Sequence, residues 1–388
     1  FVLPPSDPSF KYIYTGALPD TLVWNNKLSR NDFAETYFRR PEYDYYPVVG
    51  VSWLQASRYC DWLSDRANEK ALIEQGIISK DYYSNDANNM GPNSFSLDKF
   101  KANDPEMEAY VNTERLKQKT GIKTANQRIV SANRNASAGV VEKFRLPTEV
   151  EWEFAALGMQ KEREYNLFTN KEPEIEKLKG TKGRDRGMYL ENFKQGRGDY
   201  SGVPGWKNDG SPTTADVKQY PSNNLGIYGM FGNVAEWTAD VYRPIIDEEA
   251  SDFNYYRGNV SQEVVKNADG SFKKIETAKY DTLADGRLVY KGLPGQYERE
   301  TVADNRNYRD GDFQSSLDAG YGRAEDSTTA GYNMYNSKQK RFVVDSRGRV
   351  VMQKDPVSRT TRVSNEVRVI KGGSWLDSAY WLDPGQRR

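Results

Sequence analysis

The chain has 388 residues, with 55 Lys or Arg balanced by 55 Asp or Glu, and that zero net charge leaves no electrostatic footprint for nucleic acid. It has no histidine and one cysteine, Cys60. These two facts exclude Ser-His-Asp and Cys-His catalysis, histidine-held zinc or iron, internal disulfides and cysteine-rich metal sites. Apolar residues make up 37% and mean hydropathy is −0.85, yet aromatic residues reach 13%. Disordered chains are poor in aromatics, so the mixture predicts a folded, loop-rich chain with a core of large rings. No apolar run is long enough to span a bilayer. The abrupt start at Phe1 and the patterned end at Arg388 read as a portion of a longer chain, incomplete at both ends.

In chain order, Ser52 with Gln55 three residues on predicts a capping box that opens a helix. Trp53, Ala56, Cys60, Leu63 and Ala67 then draw one apolar stripe at helical spacing. Cys60 on that stripe reads as a small buried hydrophobe rather than a reactive thiol. Residues 70–140 are polar, mixed and partly helical, the character of an insertion. Thr148 and Glu151 predict a second capping box, with Trp152, Ala155 and Ala156 as the buried face and Gly158 as the stop. Glu149, Glu151 and Glu153 read as first-turn acids complementing the helix dipole rather than as an acid/base set.

From Gly183 to Tyr242, glycine, Asn, Asp and aromatic residues alternate with short apolar pieces, a run of turns. The Arg-Gly-Asp triplet within Gly196–Tyr200 is too short to carry an adhesion signal. Residues 245–365 have weak periodicity and read as a second insertion with small hairpins of its own. Val367-Arg-Val-Ile370 predicts a strand that runs into the glycine turn Gly372-Gly373-Ser374.

Four blocks in order carry a resemblance: Tyr46–Ala56, Phe144–Ala156, Asn224–Trp237 and Arg368–Trp375. They resemble the formylglycine-generating enzymes, the sulfatase-modifying-factor family. The resemblance implies a single irregular α+β domain over 1–388, of the complex C-type-lectin-like kind with little regular secondary structure, carrying insertions at about 70–140 and 245–365. Leu18–Trp24, Tyr37–Pro41, Asn192–Tyr200, Asp240–Pro244 and Asp252–Asn259 are similar to one branch of it. That branch is the gliding-motility lipoproteins of the type IX secretion system, the J type first and the K type next. It implies a lipid-anchored protein on the periplasmic face of the outer membrane. Its implied partners are other gliding and type IX secretion proteins, the K-type lipoprotein and its ring partner among them.

The family's enzymes oxidise a substrate cysteine with copper held by two cysteines just after the Gly-Gly-Ser turn. Asp377 stands at the first of those positions and Leu382 at or near the second, and neither supplies the soft thiolate that Cu(I) needs. The histidines of an iron-binding branch are absent. The expectation is therefore a non-catalytic scaffold without copper or iron. The alternatives are a glycan- or peptide-binding module, or an enzyme with altered chemistry in the former pocket. Calcium needs only oxygen ligands. The resemblance places one calcium site at Asn192, Phe193, Asp209 and Ser211, where the alternative is that Asn192 and Asp209 simply hold turns. For a second site it leaves Gly232, Val234 and Glu236, but Gly229 stands where a ligand is needed. There the better reading is Glu236 binding backbone amides in a tight loop.

Overall fold

The structure is a computed structural model that describes residues 15–25, 31–79, 95–102, 104–120, 143–159, 189, 191–194, 210–242, 262–283, 286–292, 295–301, 342–344, 350–352 and 367–388. Its helices are α1 (Asn31–Thr36), α2 (Trp53–Glu74), α3 (Leu97–Ala102), α4 (Pro105–Glu108), α5 (Thr113–Thr120) and α6 (Glu149–Leu157). Its strands are β1 (Glu236–Val241), β2 (Gln262–Val264), β3 (Lys279–Thr282), β4 (Leu288–Gly292), β5 (Arg299–Thr301), β6 (Phe342–Val344), β7 (Val350–Met352) and β8 (Arg368–Lys371). The strands pair only two by two, as β1–β8, β2–β5, β3–β4 and β6–β7. Helix and strand are thus mixed, and among the described residues no sheet exceeds two strands. The chain divides into two compact units, the first built from 1–20, 50–146 and 262–300, the second from 21–49, 147–261 and 301–388.

In the first unit, α2 opens on the predicted capping box, with Ser52 Oγ accepting from Gln55 N–H and the Gln55 side chain returning the bond. Its buried face differs from the expected stripe. The most buried positions are Gln55, Ser64, Asn68, Glu69 and Leu72, while Trp53, Ala56, Leu63 and Ala67 are half-buried. The reason lies in what packs there. Gln55 Nε2 donates to the carbonyls of Gly16 and Leu18 at 2.7 and 2.9 Å, and Ser64 Oγ receives the Phe144 N–H at 2.8 Å. Irregular segments carry backbone groups that no sheet satisfies, so polar side chains of the long helix satisfy them. Cys60 is also only half-buried, and desolvation pushes its thiol up, with Asp61 adding to the shift.

The two expected insertions meet in this unit. Leu72, Ile77, Ile78, Phe95, Leu97, Phe100, Met107, Val111 and Leu116 form its hydrophobic core. Buried Asp104, from the first insertion, is paired with Lys274 at 2.8 Å and accepts the Tyr297 hydroxyl at 3.0 Å, both from the second. Arg299 bonds Asp98 at 2.5 Å across the same junction. The second insertion does contain a hairpin of its own, β3–β4, paired antiparallel from Thr282↔Leu288 outward. Asp65 on α2 accepts the Leu97 N–H at 2.8 Å and so anchors the start of α3. Burial there pushes its carboxyl up to about 7.

In the second unit, α6 has the predicted box between Thr148 and Glu151 and ends at Gly158 in the left-handed region, φ 60°. Trp152 and Ala156 are buried with Ala155 packed beside them, as expected. β8 lies antiparallel to β1, with Glu236 opposite Lys371 and Trp237 opposite Ile370. One cluster joins Trp152, Ala156, Phe193, Met230, Phe231 and Leu382, and a second stacks Trp24, Tyr37 and Trp375 with Phe33, Tyr43 and Tyr46 around them.

Candidate functional site

The site expected from the sequence lies in the second unit, where β8 enters its glycine turn. Gly372 and Gly373 have φ of 85° and 66°. A Cβ on Gly372 would also lie 2.9 Å from the Met230 carbonyl and 3.1 Å from the Trp152 ring, so both the conformation and the space require glycine. Three irregular segments are laced together here by backbone bonds. Gly232 N–H donates to the Gly372 carbonyl at 2.8 Å, Asn233 N–H to Asn192 at 2.8 Å, and Trp375 N–H to Asn233 at 3.0 Å. Lys194 N–H reaches the Asp377 carbonyl at 2.8 Å.

After the turn, Ser374 Oγ donates to Asp377 Oδ2 at 2.6 Å and the Arg388 guanidinium pairs with Asp377 Oδ1. Leu382 is fully buried in the cluster around Trp152. The first of the two positions expected to correspond to copper ligands is therefore a carboxylate already paired with a cation. The second is a core side chain.

Beneath the turn lies a buried ionic network that the sequence reading missed. Lys371 has no exposed side-chain surface and donates to Glu149 at 3.1 Å and Glu153 at 2.7 Å. Arg387 approaches the same Glu149 oxygen at 3.0 Å, and among the described residues Glu149 Oε2 has no hydrogen-bond partner. The Glu149 N–H donates to the Asp240 carboxylate, whose burial pushes it up to about 6 against the opposing effect of that bond. Glu149 and Glu153 are therefore not simply first-turn acids at a helix dipole. Glu149 and Glu151 do stand in the first turn, Glu151 as the reciprocal half of the capping box. A signal for the network was present. Val369 and Lys371 share the parity of one strand face, and a lysine on an inward face requires carboxylates. Glu149 and Glu153, four apart on α6, supply them.

The candidate calcium residues are placed as follows. Asn192 is buried, and its Nδ2 donates to the Thr213 carbonyl at 2.7 Å and to Asn233 Oδ1 at 3.3 Å. Phe193 packs in the core, edge-on to Tyr189. Ser211 Oγ accepts from Gln219 Nε2 at 2.8 Å. Asp209 lies outside the described residues, as do Gly196–Tyr200 and Asp252–Asn259. Among the described residues no three His, Cys, Asp or Glu side chains come together as a metal group. The donor set still suits calcium in one respect: with Nδ2 committed to Thr213, the Asn192 side chain has its oxygen left to offer.

At the second set, Gly232 has φ 67°, and a Cβ there would fall 2.1 Å from the Asn192 carbonyl. Among the described residues Glu236 does not hold backbone amides as expected. It begins β1 and accepts the Trp152 indole N–H at 2.6 Å, and burial raises its pKa. The residue that organises this loop is Asn233, another one the sequence reading passed over. It has φ 59°, and its side-chain amide pairs with both backbone groups of Ala215, accepting N–H at 2.8 Å and donating to C=O at 3.1 Å.

A family model, the sulfatase-modifying factor enzyme 1-like domain, matches residues 16–284, well over half of the chain. The chain belongs to that family. The formylglycine-generating enzyme of Mus musculus is 36% identical over 96 residues, 25% of this chain and 22% of its own length. The inactive C-alpha-formylglycine-generating enzyme 2 of the same organism is 37% identical over 100 residues, 26% of this chain and 27% of its own. The chaperone protein LppX of Paenibacillus barcinonensis is 29% identical over 196 residues, 49% of this chain and 50% of its own. The aligned stretches thus span about a quarter to a half of these relatives. No solved structure matches the chain. Since relatives named as enzymes and as inactive both appear, membership by itself leaves catalysis open.

Proposed function

We propose that this chain is a non-catalytic structural module of the gliding-motility and type IX secretion machinery, of the J-type branch. In this reading it is lipid-anchored on the periplasmic face of the outer membrane and binds other components, the K-type lipoprotein and its ring partner among them. The observation that carries the non-catalytic half is the pair Asp377 and Leu382. At the positions where the family's enzymes hold copper, one side chain is closed by Ser374 and Arg388 and the other is core. The machinery half rests on the similarity of Leu18–Trp24, Tyr37–Pro41 and the related segments. Affinity purification of the tagged native protein from solubilised envelopes tests it. The expected result is co-purification of the K-type lipoprotein in fixed ratio, and recovery of the chain alone would overturn it. The likeness to a protein named a chaperone favours one second reading, assistance to another exported protein's folding. A stable complex with native, folded secretion components would count against it.

We also propose calcium as a structural brace at Asn192, Phe193, Asp209 and Ser211, not as a reactant. Chelation with EGTA is expected to lower the thermal midpoint, and added calcium, but not magnesium, to restore it. A midpoint indifferent to both would remove the site.

A further inference from the structure

The segment after Leu382 folds back on the sheet instead of leaving it. Asp383 makes the turn, accepting the Gly385 N–H on its side chain at 2.7 Å and the Gln386 N–H on its carbonyl at 2.9 Å. The chain then returns along β8 on the side away from β1. Ile370 N–H donates to the Arg388 carbonyl at 2.9 Å, and Arg388 N–H approaches the Ile370 carbonyl at 3.4 Å. Successive backbone groups of a strand point to opposite sides. Ile370 thus presents both polar groups to the edge β1 does not cover, and Arg388 occupies both.

Its side chain fixes the arrangement from the other end. The guanidinium pairs with Asp377 and lies 4.2 Å from the Trp381 ring centroid. It remains 37% exposed, whereas the neighbouring Arg387 turns inward to Glu149 with 10% exposure. The two arginines therefore do different things. Arg387 belongs to the buried network, and Arg388 is a solvent-accessible fastener holding one residue of backbone against a strand edge.

We infer that residues 383–388 are a strap latched by Arg388, which closes the free edge of β8 and can be released without unfolding the sheet. An open strand edge is a template for pairing with another chain. The latch keeps that edge shut and makes its opening depend on charge. Both holding interactions, an exposed ion pair and a cation–π contact, are individually weak. Together they sustain about a tenfold shift in the local opening equilibrium, the scale of a sub-global opening rather than of unfolding.

Residue-resolved amide hydrogen exchange on the full chain tests this, comparing the parent with Arg388→Gln and Asp377→Asn. Each variant is expected to speed exchange of the Ile370 amide about tenfold while Val369 and Lys371, which face β1, keep their protection. Raising salt to about 1 M is expected to move the parent towards the variants and to leave Arg388→Gln unchanged. If Ile370 keeps the parent's protection in both variants, the arginine is no latch. If Val369 and Lys371 lose protection in parallel with Ile370, the strap is an inseparable part of the core, and the inference fails as well.

Discussion

Lys371→Met is expected to lower the unfolding free energy of the unit that holds it by about 3–5 kcal/mol, the usual cost of removing one partner from a buried ion network. The size follows from where the charges sit. Lys371 and Glu149 have no exposed side-chain surface, and Glu153 has little. Without the ammonium, Glu149 keeps Arg387 and Glu153 loses its pairing with Lys371, while Asp240 stands close to the same helix start. Lys70→Met is the contrast. That lysine is 78% exposed and 4.0 Å from Glu74, so its loss is expected to cost under about 0.5 kcal/mol. Urea unfolding followed by tryptophan fluorescence separates the two, since Trp152 lies under the network with Lys371 6.0 Å from its ring. A cost below about 1 kcal/mol for Lys371→Met would mean that water reaches the site.

Asn233→Ala is the second substitution with a large expected effect, about 3 kcal/mol. Two costs add. An alanine at φ 59° is strained by about 1–2 kcal/mol, and the buried N–H and C=O of Ala215 lose their partners at about 1–3 kcal/mol together. Asn233→Gly separates them, because glycine accepts the conformation but not the hydrogen bonds. The same urea titration is expected to place glycine about 1 kcal/mol above alanine and still below the parent. Equal costs for the two variants would show that the conformation carries no strain.

The parts of this fold legible in the sequence are those whose cause is local. Both capping boxes, the stop at Gly158 and the strand into Gly372-Gly373 need only neighbours within a few residues, and each stands as expected. What was not legible depends on distant partners. The α2 stripe was read from periodicity, which supposes that a buried helix face is apolar. Gln55 and Ser64 are buried instead because a loop carbonyl and a loop amide far along the chain need them. Asp104 gives no local hint that it joins two insertions separated by more than a hundred residues. Lys371 and Asn233 were readable in principle. One sits at an inward parity, and the other follows a glycine where a left-handed residue with a short polar side chain fits.

The site divides in the same way. Asp377 and Leu382 were named from a motif, and the structure adds what a motif cannot, namely that one is fastened by Ser374 and Arg388 and the other is enclosed with Trp152. Glu236 was placed in the right block with the wrong partner. Its partner is an indole N–H from α6, set by the approach of helix to strand rather than by the loop's own sequence.

We propose that this member of the family does not carry out the oxidation of a substrate cysteine. The most direct measurement is incubation of the purified chain with Cu(I), oxygen and a cysteine peptide, with mass spectrometry for conversion of the thiol side chain to an aldehyde. The account predicts no conversion above the protein-free control and no stoichiometric copper retained after gel filtration. Aldehyde formation that scales with protein concentration would contradict it.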